Sequence, residues 1–229
     1  MNQVTLARFA WWLPITFAVM LAVLHMVEPE FNLGGHLISA YELGRCGWLM
    51  TLAFGALGAA SLCLAYAIRD DLRGRAGAMG FWWLLLIASA YVGAGLFYPD
   101  ESTGGLGLPV DPVDFKRGTV APTWNASMHG LSGIIVILSS PIAFTLVCRS
   151  LPKNPQWSPR LGTMHWATTA AWIGLLLSPL SLVLYYFAQQ PSGFDFRITV
   201  SIVNRIMILA YAAWLAITAW QKMTLEAKS

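Results

Sequence analysis

Six apolar runs, each long enough to form a membrane-crossing helix, dominate the sequence: 7–27, 47–68, 78–97, 122–148, 163–187 and 199–220. A helix needs about 20 apolar residues to cross a hydrocarbon core of roughly 30 Å. Backbone exposed to lipid must satisfy its own hydrogen bonds, which leaves helices or closed barrels. Barrel strands alternate in segments of about ten residues, and these runs are continuous, so a barrel is excluded. The sequence predicts an all-α membrane protein, a six-helix bundle forming a single transmembrane domain over residues 1–229. Composition points the same way: 11% of residues are charged, against about 25% in soluble domains. Too few charges remain to coat a surface facing water. The first run is too long for a signal core and lacks a small-residue cleavage site, so it is expected to stay as the first span.

Lysines and arginines gather on the cytoplasmic side of spanning helices. The N-terminus, the even-numbered gaps and the C-terminal tail hold Arg8, Arg69, Arg73, Arg75, Arg149, Lys153, Arg160, Lys222 and Lys228. The odd-numbered gaps and adjoining helix ends hold Arg45, Lys116, Arg117, Arg197 and Arg205. Both termini are therefore expected in the cytoplasm, in a multi-pass cell-membrane protein. The net charge of +3 reflects this bias and does not suggest nucleic-acid binding.

Cys46, Cys63 and Cys148 show no paired spacing, so no disulfide framework or zinc motif is expected. Gly44, Gly47, Thr51, Gly55 and Gly58 recur at three- and four-residue spacing along span two. Such a stripe permits close helix approach and makes a homo-oligomer conceivable. The gaps 28–46 and 98–122 exceed the usual loop length, which favours a functional or disordered role.

The polar residues within or beside the spans carry the functional question. His129 lies about 10 Å into span four if that helix starts near Pro122. It shares a face with Ser132, Gly133, Val136 and Ser140. Ionisable groups in a span face protein or water, so His129 is read either as a histidine bonded between helices or as a ligand contact. Arg205 follows Asn204 near the start of span six and is expected to snorkel outward or to meet Glu42, Asp100 or Asp114. Ser39 and Glu42 have capping-box spacing, Glu42 and Arg45 can pair on one helix face, and Tyr41 and Trp48 are expected at the membrane interface. Asp100, in Phe97-Tyr98-Pro99-Asp100, follows the proline that ends span three. Together Tyr41, Glu42, Arg45, Asp100, His129, Ser132, Asn204 and Arg205 converge on the outer end as candidate ligand-binding residues. His129 and Asp100 are the catalytic candidates. His165, at the other end, is read as interfacial. His25, His36 and His129 lack metal-motif spacing, so neither zinc nor haem is favoured as a cofactor.

The run ISAYELGRCGWLMTLAF, then FYPD and MHGLSG, resembles a widespread prokaryotic membrane family of six to seven spans catalogued as domain of unknown function 998. More distantly the layout resembles DRAM-type six-span proteins. The first resemblance implies that Tyr41, Glu42, Arg45, Asp100 and His129 are motif positions, and it brings no known reaction. Four functions stay open from the residues. The first is a binder of a lipid headgroup or small polar molecule, with Arg45 and Arg205 meeting an anionic group. The second is an enzyme acting on a lipid-linked substrate, with His129 as acid or base tuned by Asp100. The others are a transporter, which lacks the expected inverted repeat, and a haem-binding electron carrier using His25 and His129.

Overall fold

A computed structural model describes residues 2–31, 36–100, 122–187 and 196–226. Among them are six long helices and no strand. Helix α1 is Gln3–Val27, α2 Gly47–Ala67 and α3 Gly74–Leu96. Helix α4 is Trp124–Ser150, α5 Leu161–Phe187 and α6 Phe196–Glu226. All coincide with the apolar runs of the sequence. Five segments are long and apolar enough to cross a membrane: α1, α2, α3, α4 and Ile198–Glu226 of α6. The ends carrying the α1–α2 and α3–α4 connections are termed upper, the opposite ends lower.

Each helix packs on its neighbours in sequence, and α6 returns to α1, so the six form a ring with α2 also touching α6 across it. Bulky apolar side chains such as Trp12, Trp82, Ile134, Leu176 and Ile206 point outward, as helices bathed in hydrocarbon require. Local chemistry fixes the ends. Asn2 caps α1 by accepting Thr5 N–H at 2.8 Å. Thr123 caps α4 by accepting Ala126 N–H at 3.2 Å.

The lower half of the α4–α5–α6 wall is sealed. Pro141 lies inside α4 and cannot bond the carbonyl of Ile137. The Tyr211 hydroxyl of α6 donates to that carbonyl at 3.0 Å. One turn below, Phe144 and Trp214 stack at 3.9 Å, and Trp214 Nε1–H donates to Thr168 of α5 at 2.9 Å. Buried Lys222 joins Asp71 and Glu226, each at 2.7 Å. Asn154 donates to the other oxygen of Asp71 at 3.0 Å, tying both lower connections to α6.

The described part of the α1–α2 connection packs into the upper end of the bundle. Pro29–Phe31 and Ile38–Leu43 form 3-10 helices, and Leu37, Ile38, Ala40 and Tyr41 are buried. This corrects two sequence expectations. Tyr41 has no exposed surface, so it is not an interfacial ring, whereas Trp48 is exposed. Ser39 and Glu42 form no capping box, because both lie inside the 3-10 helix and α2 begins only at Gly47.

The glycine stripe serves the chain itself at several positions. A Cβ at Gly44 would collide with the Glu28 carboxylate, one at Gly47 with the Glu42 carbonyl, and one at Gly58 would press on Ala88 of α3, while Gly55 faces open space.

Candidate functional site

The upper end contains two polar centres, and the predicted site residues divide between them. The first surrounds Arg205, which is buried. Its Nη1 donates to the His36 carbonyl at 2.6 Å and to Ser201, at 2.5 Å for the hydroxyl and 3.2 Å for the carbonyl. Its Nη2 donates to the Phe31 carbonyl at 3.4 Å, and its Nε to His25 Nε2 at 3.1 Å. His25 Nδ1–H in turn donates to the Leu21 carbonyl at 2.7 Å, so both ring nitrogens are engaged. Ser201 donates to the His36 carbonyl at 2.8 Å, and Asn204 Oδ1 accepts Ile38 N–H at 3.2 Å. The Tyr41 hydroxyl lies near the guanidinium without reaching hydrogen-bond geometry. Burial pushes that hydroxyl up from its ordinary pKa, against the opposing pull of Arg205.

Ser201, Asn204 and Arg205 share one face of α6 and grip the backbone of the folded-back connection. Arg205 neither snorkels nor depends on Glu42 or Asp100. Buried carbonyls and a neutral imidazole take its donors, an arrangement that satisfies orphan backbone groups in a dry interior. Asp114, the remaining candidate partner, lies outside the described residues, as do Glu101 and Asp111.

The second centre is the pair Glu42 and His129. His129 Nδ1–H is shared between the carbonyls of Phe97 at 2.7 Å and Ala94 at 3.0 Å, at the end of α3. Two carbonyl acceptors place a proton on Nδ1, so the neutral form of the ring carries its lone pair on Nε2. Glu42 Oε2 sits 3.4 Å from the same nitrogen, and its side chain has no exposed surface. Neither carboxyl oxygen has a hydrogen-bond partner. The Thr51 hydroxyl lies near the Glu42 carboxyl without reaching hydrogen-bond geometry. Burial pushes Glu42 up to about 9, so the group is a neutral acid at ordinary pH. Ser132, one turn below His129, packs where a side chain on Gly93 of α3 would stand.

Two predicted members stand apart. Asp100 accepts from Thr123, at 2.8 Å from N–H and 2.7 Å from the hydroxyl, and so anchors the start of α4. The carboxyl beside His129 is Glu42, in the place the sequence suggested for Asp100. Arg45 is exposed, and the α2 end it precedes is held by Glu28. That buried residue accepts Cys46 N–H at 2.5 Å, and the absent side chain of Gly44 makes room for it. Sequence reasoning passed over Glu28 and Ser201. The available signal was the spacing of Ser201, Asn204 and Arg205, which puts three polar groups on one face of an apolar helix.

A groove of about 470 Å³ opens between the upper halves of α4, α5 and α6. Its walls include Ala126, Leu131, Ile134, Leu138, Leu175 and Pro179. The α4–α5 seam is the most loosely packed of the ring, and the groove ends at Ile137 and Leu138, next to the carbonyl that Tyr211 holds. A smaller cavity of about 50 Å³ adjoins it, bordered by Ser39, Phe54 and His129. Leu37, Gly130, Ile137 and Asn204 border both. Among the described residues, no three histidines, cysteines or acids gather as a metal site.

The apolar helices and their buried polar interior define an all-helical, multi-pass membrane protein. The family described as "Protein of unknown function (DUF998)" matches residues 13–221, and the chain belongs to that family. Comparison with curated proteins and with solved structures found no match.

Proposed function

We propose that this is a six-span cell-membrane protein, with α5 as the remaining span and both termini cytoplasmic, whose upper groove holds the hydrocarbon chain of a lipid. The groove itself is the observation that carries the reading. It is about 470 Å³, apolar, and set between helices that belong in hydrocarbon. Sites of this size that enclose ligands typically combine apolar walls with a few polar groups. Asn204 and the adjoining His129 supply those groups here. Binding of an anionic headgroup through Arg205 is disfavoured, because protein acceptors occupy its guanidinium.

Native mass spectrometry of the gently extracted protein is expected to show a co-purified lipid-sized mass. Ile134, half exposed in the groove wall, is the residue to enlarge: Ile134→Trp should remove that mass, and its retention would refute the reading. For sidedness, single cysteines replacing exposed Asp70 and Trp124, with the native cysteines removed, should label from opposite faces of the membrane.

A second reading is an enzyme with His129 as acid or base, favoured by Glu42 Oε2 at 3.4 Å from the imidazole. Full turnover of a lipid-linked substrate by His129→Ala would remove it.

A further inference from the structure

The polar end of the groove limits what its occupant can carry at the end of its chain. Among the described residues, no lysine, arginine or carboxylate borders the groove or the small cavity. Arg205, although next to Asn204 in sequence, spends its donors on His25, His36, Ser201 and Phe31. His129 borders the cavity as a neutral ring whose Nδ1 proton is committed to Phe97 and Ala94. Asn204 uses Oδ1 for Ile38 N–H, which leaves its amide donors. Against these described residues an anion would find no counter-charge and an ammonium no carboxylate, which disfavours both. A hydroxyl suits the inventory, since it donates once and accepts twice. A volume of about 50 Å³ accommodates such a group, given that a water needs about 10–15 Å³ measured this way.

We infer that the occupant of the groove ends in a neutral hydroxyl, as a long-chain alcohol or partial acylglycerol does, with the hydroxyl donating to His129 Nε2 and accepting from Asn204. The inference rests on the chain-binding groove proposed above and adds the chemistry of the ligand's polar end. Glu42, fully buried with Oε2 3.4 Å from the imidazole Nδ1, keeps that side of the ring enclosed.

The test is displacement of tritiated hexadecanol from the purified full-length protein in detergent, using hexadecanol, hexadecyl phosphate and hexadecane. Hexadecanol should compete at least about tenfold better than either of the others, the equivalent of one well-made hydrogen bond. This ranking needs no variant and so does not depend on the folding of one. His129→Phe should retain hexadecane binding and lose the preference for the alcohol. The inference is overturned if hexadecyl phosphate or hexadecane matches hexadecanol on the unmodified protein while Ile134→Trp still abolishes binding; the groove reading then survives. No binding of any probe, or hexadecanol binding unaffected by Ile134→Trp, overturns the groove reading itself and the inference with it.

Discussion

Replacing Glu42 by Gln should change how stability depends on pH. The Glu42 carboxyl is held near 9, against an ordinary value of 4.5, by burial. Between those values the folded protein holds a proton that the unfolded chain releases. Stability from this group is therefore fully present at low pH and is lost as pH rises through the window from 4.5 to 9. One proton contributes about 1.4 kcal/mol per pH unit, or about 3 kcal/mol between roughly pH 6 and 8. For a chain of this size, that is a fall of about 6–12 °C in Tm. The amide of the Glu42→Gln variant is neutral throughout and lacks this slope. Thermal unfolding followed by tryptophan fluorescence in one detergent, from about pH 5 to 9, gives the comparison. The difference between the two proteins isolates Glu42, because histidine titrations are common to both. The variant should be the more stable protein at about pH 8, and Glu30→Gln, at an exposed position, should follow the wild type. Parallel curves for wild type and Glu42→Gln would show that the carboxyl is charged in the fold, and the neutral character assigned to this centre would fall.

Arg205→Met should destabilise the protein by about 1–3 kcal/mol for each buried acceptor it strands; hydrogen exchange should rise first in 36–43, the segment that Arg205 and its neighbours hold. Tyr211→Phe leaves the Ile137 carbonyl unpaired inside the wall and should cost about 1–3 kcal/mol in chemical denaturation. Thr123→Ala removes both the α4 cap and the hydroxyl donor to Asp100, leaving the bond from the backbone N–H, and should cost about 1 kcal/mol, read by the same measurement.

The helices were legible because bilayer thickness sets a length that few other structures demand. Runs such as 47–68 and 163–187 fall within a few residues of α2 and α5. The convergence of Tyr41, Glu42, His129, Asn204 and Arg205 on one end was also legible, from span order alone. The contacts within that end were not. Tyr41 obeys no surface rule, because the connection carrying it folds back under α6, and that return depends on hydrogen bonds from Ser201, Asn204 and Arg205 across about 165 residues of sequence. Asp100 and Glu42 illustrate the same limit. Each is an acid near the top of α3 or α2, and only the packing decides that the first secures a helix cap while the second backs a histidine.

The two polar centres differ in how far the ionisable group at each is satisfied, which supports reading the first as scaffold and the second as part of the proposed site. Around Arg205 the three guanidinium nitrogens all have acceptors. With its donors all taken the guanidinium has no capacity left for a ligand, although the Tyr41 hydroxyl beside it has no hydrogen-bond partner. Around His129 the carboxyl oxygens of Glu42 and the Thr51 hydroxyl lack partners, and the histidine borders open volume. Unsatisfied buried polar groups are costly and call for a reason beyond folding. The connection is common to both centres: Arg205 and Asn204 hold the segment that carries Leu37 and Ser39 to the cavity. Losing Arg205 should therefore weaken binding of alcohol, phosphate and alkane probes together, without reordering them. Losing His129 should reorder them, at a stability cost of about 1–3 kcal/mol for the Phe97 and Ala94 carbonyls it leaves unpaired. Should Arg205→Met instead weaken the phosphate probe selectively, its guanidinium charge has been reaching the cavity, and the division into scaffold and site is wrong.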